Sequence, residues 1–184
     1  MAFDGVHSLP EGPTFGVRCE PMRAEGVFDP DEPTFGVRLN DLVTYPAMTM
    51  IHEAGHALDY YYIGKGDGWM SKHPNPPKLW AEWTEIVEDS ASNRQLVQNT
   101  TTSPLPSIQE TCLYFLRPEE VFARCYAQYI ALCSQHQGLL EELKHMQLEF
   151  PSAQWQDAEF PVIAESFERL LEAFGIKRLR KEAK

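Results

Sequence analysis

Two histidines four residues apart, with a glutamate between them, stand in the segment TMIHEAGHALDYYY at residues 49–62. On an α-helix His52 and His56 project from one face, one turn apart, so both imidazoles reach a single metal ion. Glu53 lies about 100° further round, displaced from the ligand pair but close enough to take a proton from water at the ion. A zinc site that does chemistry has three protein ligands and keeps a fourth position open. The third ligand must therefore come from elsewhere. A continuation of the same helix would have to carry Gly at 59 and His or Asp at 62, and the chain has Asp59 and Tyr62 there.

Two later segments compete for the third position. In EWTEIVEDSASN, residues 82–93, Glu85 would be the ligand and Asp89 a carboxylate holding a ligand histidine. In RPEEVFARCYAQY, residues 117–129, Glu120 would be the ligand, and Ala123 one turn on is small enough to let its helix pack closely against the HEAGH helix. A ligand on another helix can follow an intervening segment of any length, so spacing leaves both open. Asp59 and Asp89 are the candidates to support the histidines from behind. His7, His73, His136 and His145 have no partner at ligand spacing.

The elements that would position these groups are mostly helical. Thr44 is a plausible N-cap for the first helix, with Pro46 in its first turn and Gly64 and Gly66 as its stop. A loop leads to a second helix over 78–97, with Leu79, Trp80, Trp83, Ile86, Val87 and Ala91 at core spacing. NTTTSPLP reads as a polar loop, and Ser107 with Glu110 as a capping box for a short helix through Tyr114. Pro118 opens a longer helix, and two more fit 138–149 and 161–174, the last ending at Gly175. Residues 1–40 are rich in Pro, Gly and acidic side chains and contain PTFGVR twice, at 13–18 and 33–38. Each copy suits a brief strand, and the pair a hairpin or edge ribbon. The expected fold is α+β, predominantly helical, a single domain over 41–176 with a small β element near the N-terminus. A basic tail over 177–184 reads as a frayed helix end.

Composition narrows the partners. With 184 residues, 43% of them hydrophobic, the chain can bury one substantial core. A net charge of −11, with basic residues clustered only in the tail, argues against nucleic acid. No apolar run is long enough to span a membrane, and the N-terminus lacks the pattern of a cleavable export signal. Cys19, Cys112, Cys125 and Cys133 have no CxxC pairing and read as free thiols, acquired in a reducing compartment of synthesis.

HEAGHALDYY followed by YFLRPEEVFAR resembles the zincin domains related to anthrax lethal factor. It resembles even more closely the phage-type metallopeptidase-like domains of large polyvalent proteins, and the match covers roughly residues 45–135. The resemblance implies a zincin-like fold of gluzincin type, with Zn2+ on His52, His56 and Glu120, Glu53 as catalytic base, and Tyr114 as a catalytic hydrogen-bond donor facing the metal. It implies hydrolysis of peptide bonds in a protein or peptide substrate. It also implies an effector or toxin domain made in the cytoplasm and delivered from the producing cell by a specialised system, with a delivery or immunity partner unidentified. Two features depart from the pattern. His56 and Glu120 are 64 residues apart, and Arg124 stands where the lethal-factor type has an acidic residue, suited here to orienting a carboxylate or binding a substrate carbonyl. The long gap keeps Glu85 open as the alternative third ligand. A non-catalytic zincin-like binding scaffold and a cell-wall peptide amidase are the alternative readings.

Overall fold

The computed structural model describes residues 7–8, 17–19, 26–30, 36–39 and 42–178. Seven α-helices make up most of it: α1 (Pro46–Ala57), α2 (Lys78–Glu88), α3 (Ala91–Thr102), α4 (Pro106–Phe115), α5 (Pro118–Ser134), α6 (Gln137–Glu149) and α7 (Phe160–Ala173). The fold is α+β and predominantly helical, as expected, with a small β element. None of the described helices is long and apolar enough to cross a membrane.

The centre of the molecule is the packing of α1 on α5. A Cβ placed on Gly55 would lie 2.9 Å from the Cα of Ala123, so the two helices approach backbone to backbone at this point. Only the glycine and the small alanine allow it. Around this contact Met48, Ile51, Phe122, Tyr126 and Ile130 are buried, and α2 and α7 add Trp80, Trp83 and Phe167. Trp80 stacks on Phe122 with ring centroids 5.2 Å apart and planes 10° from parallel. Such offset aromatic pairs add rigidity beyond the area they bury.

Several ends differ from the sequence expectation. Thr44 does not cap α1. The N-cap is Tyr45, which supplies no side-chain bond, and the carboxylate of Glu142 on α6 accepts from the Ala47 and Met48 N–H groups at 3.4 and 2.8 Å instead. A carboxylate at a helix N-terminus satisfies orphan donors and complements the dipole. Helix α1 continues as a π-helical turn, Leu58–Ile63, and stops at Gly64, where a Cβ would lie 1.9 Å from the Gly68 carbonyl oxygen. The single helix expected over 78–97 is two, because Ser90 breaks it and caps α3 by accepting from the Asn93 N–H. Helix α3 runs on through Thr102, so the first half of the expected NTTTSPLP loop is helical. Its threonine hydroxyls turn back onto carbonyls of their own helix. Helix α4 begins at Pro106 after Leu105, and Ser107 makes no capping box.

Of the N-terminal strands β1 (His7–Ser8), β2 (Val17–Cys19), β3 (Gly26–Asp29) and β4 (Gly36–Leu39), the last three form one three-stranded sheet in the order β2-β4-β3. A short pair joins β1 to β5 (Lys177–Arg178). The two PTFGVR copies do not make a hairpin. Their Val-Arg ends pair in parallel with equivalent positions opposed, Val17 with Val37 and Arg18 with Arg38. The intervening β3 returns antiparallel to β4 and supplies the crossover a parallel pair requires. The first residues of each copy, the side chains of Cys19 and His7, and residues 179–184 lie outside what is described. The start of the basic tail is a strand edge and not a frayed helix. Cys112 and Cys125 are buried free thiols, and Cys133 is partly buried.

Candidate metal centre

Helix α1 presents His52 and His56 with their rings 4.7 Å apart and nearly perpendicular. Glu120, in the first turn of α5, lies between them. Its Oε2 is 3.1 Å from His52 Nε2, and its Oε1 is 3.4 Å from His56 Nε2. One ligand atom from each of the three residues falls within 4.8 Å of the others, so the group could hold a metal ion. The donor set fits zinc: bonds of 2.0–2.2 Å to nitrogen and oxygen in a tetrahedron put ligand atoms about 3.3 Å apart, close to these separations. The Gly55–Ala123 contact joins a residue between the two histidines to one a single turn beyond Glu120 and fixes the distance between α1 and α5 there.

Electrostatics reinforce the arrangement. Burial pushes the Glu120 carboxyl up, but hydrogen bonds and charge from His52 and His56 outweigh it and hold the group well below the usual carboxylate range. His56 is moved the opposite way. Burial disfavours its charged form, yet Glu120, with help from Glu53 and Asp59, raises its pKa above the ordinary value. Its Nδ1 is buried and makes no hydrogen bond.

Glu53 is 5% exposed and points into a cleft of about 340 Å³ that His52, Glu120, Tyr114 and Gly26 also line. Burial raises its pKa, with the two histidines and a hydrogen bond from the Phe28 N–H acting against that rise. The strand β3 therefore passes directly over this carboxylate. A Cβ on Gly26 would lie 2.7 Å from Glu53 Oε1, so glycine is required by space.

Tyr114, at the end of α4, is 41% exposed and hydrogen-bonded to Glu120. Burial and the nearby carboxylates raise its hydroxyl far above the ordinary tyrosine value, so it remains a donor at neutral pH. The Arg117 guanidinium lies 5.3 Å from the centre of its ring.

The structure leaves other sequence candidates apart from this group. Glu85 is exposed on α2, because Trp80, Trp83 and Val87 turn the opposite face into the core. Asp89 is exposed at the C-cap of α2. Asp59 is fully buried, but it accepts from the Ser71 N–H and hydroxyl at 3.0 and 2.5 Å and does not bond His56. Burial raises its pKa to about 6 against those hydrogen bonds. Arg124 orients no carboxylate directly: its guanidinium donates to the carbonyls of Phe115, at 2.7 Å, and Ala153. His73, His136 and His145 are exposed and lie outside the group.

Sequence reasoning also missed contributors. Trp69 packs edge-on against His56 at 5.5 Å, and Lys72 pairs with Glu119 at 2.9 Å, which ties the 64–77 loop to the start of α5. Gly26 and the Phe28 N–H come from a segment whose sequence carries no catalytic signal. Comparison with family models, with curated proteins and with solved structures gives no match for this chain.

Proposed function

We propose that this protein is a zinc-dependent peptidase of gluzincin type that hydrolyses peptide bonds. The observation that carries the reading is the convergence of His52 Nε2 and His56 Nε2 on one carboxylate, Glu120, beside a buried glutamate at the floor of an open cleft. A purely structural zinc is closed by four ligands and needs no base. Here three candidate ligands are grouped, and two of them, His52 and Glu120, share one cavity with Glu53.

His52, His56 and Glu120 would hold the metal. When bound, zinc supplies Lewis acidity toward a carbonyl oxygen and acidifies water. Glu53 takes a proton from the attacking water on a carboxylate oxygen, and gives it to the amine nitrogen as the carbon–nitrogen bond breaks. Its raised pKa suits both halves of that transfer. Tyr114, protonated at neutral pH, donates a hydrogen bond to the oxyanion that develops on the carbonyl, a contribution of a few kcal/mol. Strand β3 is paired with β4 on one side only among the described residues, and its Gly26 lines the cleft. An extended peptide that adds to this edge lies beside Glu53.

Elemental mass spectrometry and hydrolysis assays on three proteins test the proposal. The wild type should contain close to one zinc per chain, and Glu120→Ala should lose it. Glu53→Gln should keep its zinc and lose hydrolysis of a protein substrate panel by on the order of 100-fold or more. Absence of zinc after reconstitution would sink the reading. Zinc binding with unchanged biological effect in Glu53→Gln would identify a binding scaffold.

A further inference from the structure

The cleft has a second polar wall that the three candidate ligands and Glu53 do not use. Arg124, one turn along α5 from Glu120, and Gln154 both line it, at 3% and 2% exposure. The Arg124 guanidinium is clamped. Its two terminal nitrogens donate to the carbonyls of Phe115 and Ala153, and it lies 5.3 and 5.0 Å from the ring centres of Phe115 and Trp155. Burial lowers its pKa to about 10, so it stays charged at neutral pH. Among the described residues no carboxylate is in ion-pair contact with it.

What remains unused is one donor and one acceptor. Arg124 Nε–H and Gln154 Oε1 are both buried without a hydrogen-bond partner. Buried polar groups are nearly always paired, and an orphaned pair in one cleft wall costs free energy that a ligand supplying both complements recovers. A carboxamide has both, a carbonyl oxygen for the Nε–H and an N–H for Oε1. A carboxylate has only acceptors, leaving Gln154 Oε1 facing another oxygen, and Glu53 and Glu120 in the same cleft repel it. An apolar side chain leaves both atoms unpaired. As the cleft stands the two atoms are closed to solvent, so a ligand must displace a neighbour. Met146, partly exposed and unbranched, is a lining residue that can swing aside without backbone movement.

We infer that this wall is a recognition subsite for a side-chain carboxamide, so that the bond cleaved lies beside a glutamine or asparagine. The word cleaved rests on the peptidase reading, and the subsite itself rests on Arg124 and Gln154.

A binding measurement separates the two. The full chain carrying Glu53→Gln, which leaves peptides intact, is titrated with capped Ala-Xaa-Ala tripeptides in which Xaa is Gln, Glu or Met, with and without added zinc. The Gln peptide should bind about tenfold more tightly than its Met and Glu isosteres, the effect of one hydrogen bond to a buried charged group. Arg124→Met would strand the carbonyls of Phe115 and Ala153 and endanger folding. Gln154→Met is therefore the variant added to Glu53→Gln. It should narrow the Gln peptide's advantage over the Met peptide severalfold, because the bond to Gln154 Oε1 is lost and the bond to the Arg124 Nε–H remains, and it should not lower the thermal transition. Equal binding of the three peptides, tightest binding of the Glu peptide, no measurable binding, or a preference that Gln154→Met leaves undiminished would each overturn the subsite. A Gln preference in a protein whose wild type hydrolyses nothing would retain the subsite and remove the peptidase.

Discussion

Gly55→Ala is the sharpest perturbation of the candidate centre, because it acts on the distance between its two halves without touching a ligand. The new Cβ would meet the Ala123 Cα at 2.9 Å, the Tyr126 ring at 3.2 Å and the Ala123 Cβ at 3.3 Å. Ordinary carbon contacts begin near 3.5 Å, so α1 and α5 must part by roughly 0.6 Å at this level. Two of the opposing atoms belong to Ala123 in the middle of a helix, which cannot rotate away. His52 and His56 travel with α1 and Glu120 with α5, and a zinc site tolerates about 0.2 Å in its ligand distances. Overpacking costs about 1–3 kcal/mol, and replacing a helical glycine by alanine returns up to about 1 kcal/mol. The metal-free fold should therefore lose at most about 3 kcal/mol, while zinc affinity falls by at least roughly 10- to 100-fold. Denaturant unfolding of the metal-free protein and chelator competition for zinc read the two effects separately. Gly138→Ala on α6, where the nearest atoms lie at 3.4 and 3.6 Å on the His136 side chain, is the control and should leave zinc affinity unchanged. A folded Gly55→Ala protein with wild-type zinc affinity would refute the view that this contact sets the spacing of the site.

Gly26→Ala presses on the head of Glu53 and on the Thr49 methyl of α1, each 2.7 Å from the added Cβ, so the fold should lose about 1–3 kcal/mol while hydrolysis falls roughly 100-fold for a shift of about 1 Å at the base. Unchanged turnover would show that β3 does not position the base. Asp59, with its pKa raised from 3.8 to about 6, favours the metal-free fold in its protonated form. That contribution is complete below about pH 4 and is lost as pH rises through 6, on the order of 3 kcal/mol. Asp59→Asn should therefore gain stability relative to the wild type between pH 4 and 7.5 in thermal unfolding with chelator present, and a gap independent of pH would contradict the burial argument. Glu142→Ala removes the acceptor for two N–H groups at the start of α1 and should cost about 0.5–2 kcal/mol in urea unfolding. No loss would mean that water caps this end equally well.

Local periodicity made part of this protein legible without coordinates. Four residues make about one helical turn, so the spacing of His52 and His56 already put two imidazoles on one face, and Glu53 had to lie beside them. Proline at 46 and 118 announced helix starts that the fold uses, and the apolar stripe of 78–88 announced a buried helix face. Predominantly helical architecture followed from those patterns. The break at Ser90 was less legible, because its hydroxyl can continue a helix or cap a new one, and only the Asn93 N–H it meets decides between them.

What spacing left open was every relation between distant segments. Glu85 and Glu120 were equal candidates along the chain, and they separate because the Trp80 and Trp83 face of α2 turns inward, carrying Glu85 out to solvent, while Gly55 and Ala123 let α5 bring Glu120 between the histidines. Asp59 has the composition of a histidine partner, yet the path of the 64–77 loop gives it Ser71 instead. Gly26, Phe28 and Gln154 carry no signal in their own segments and join the cleft only through packing. The sequence by itself determined which side chains could share a helical face, since that depends on residues within one turn. Only the tertiary structure decided which faces meet, since that depends on where apolar surface is buried and where two backbones can touch.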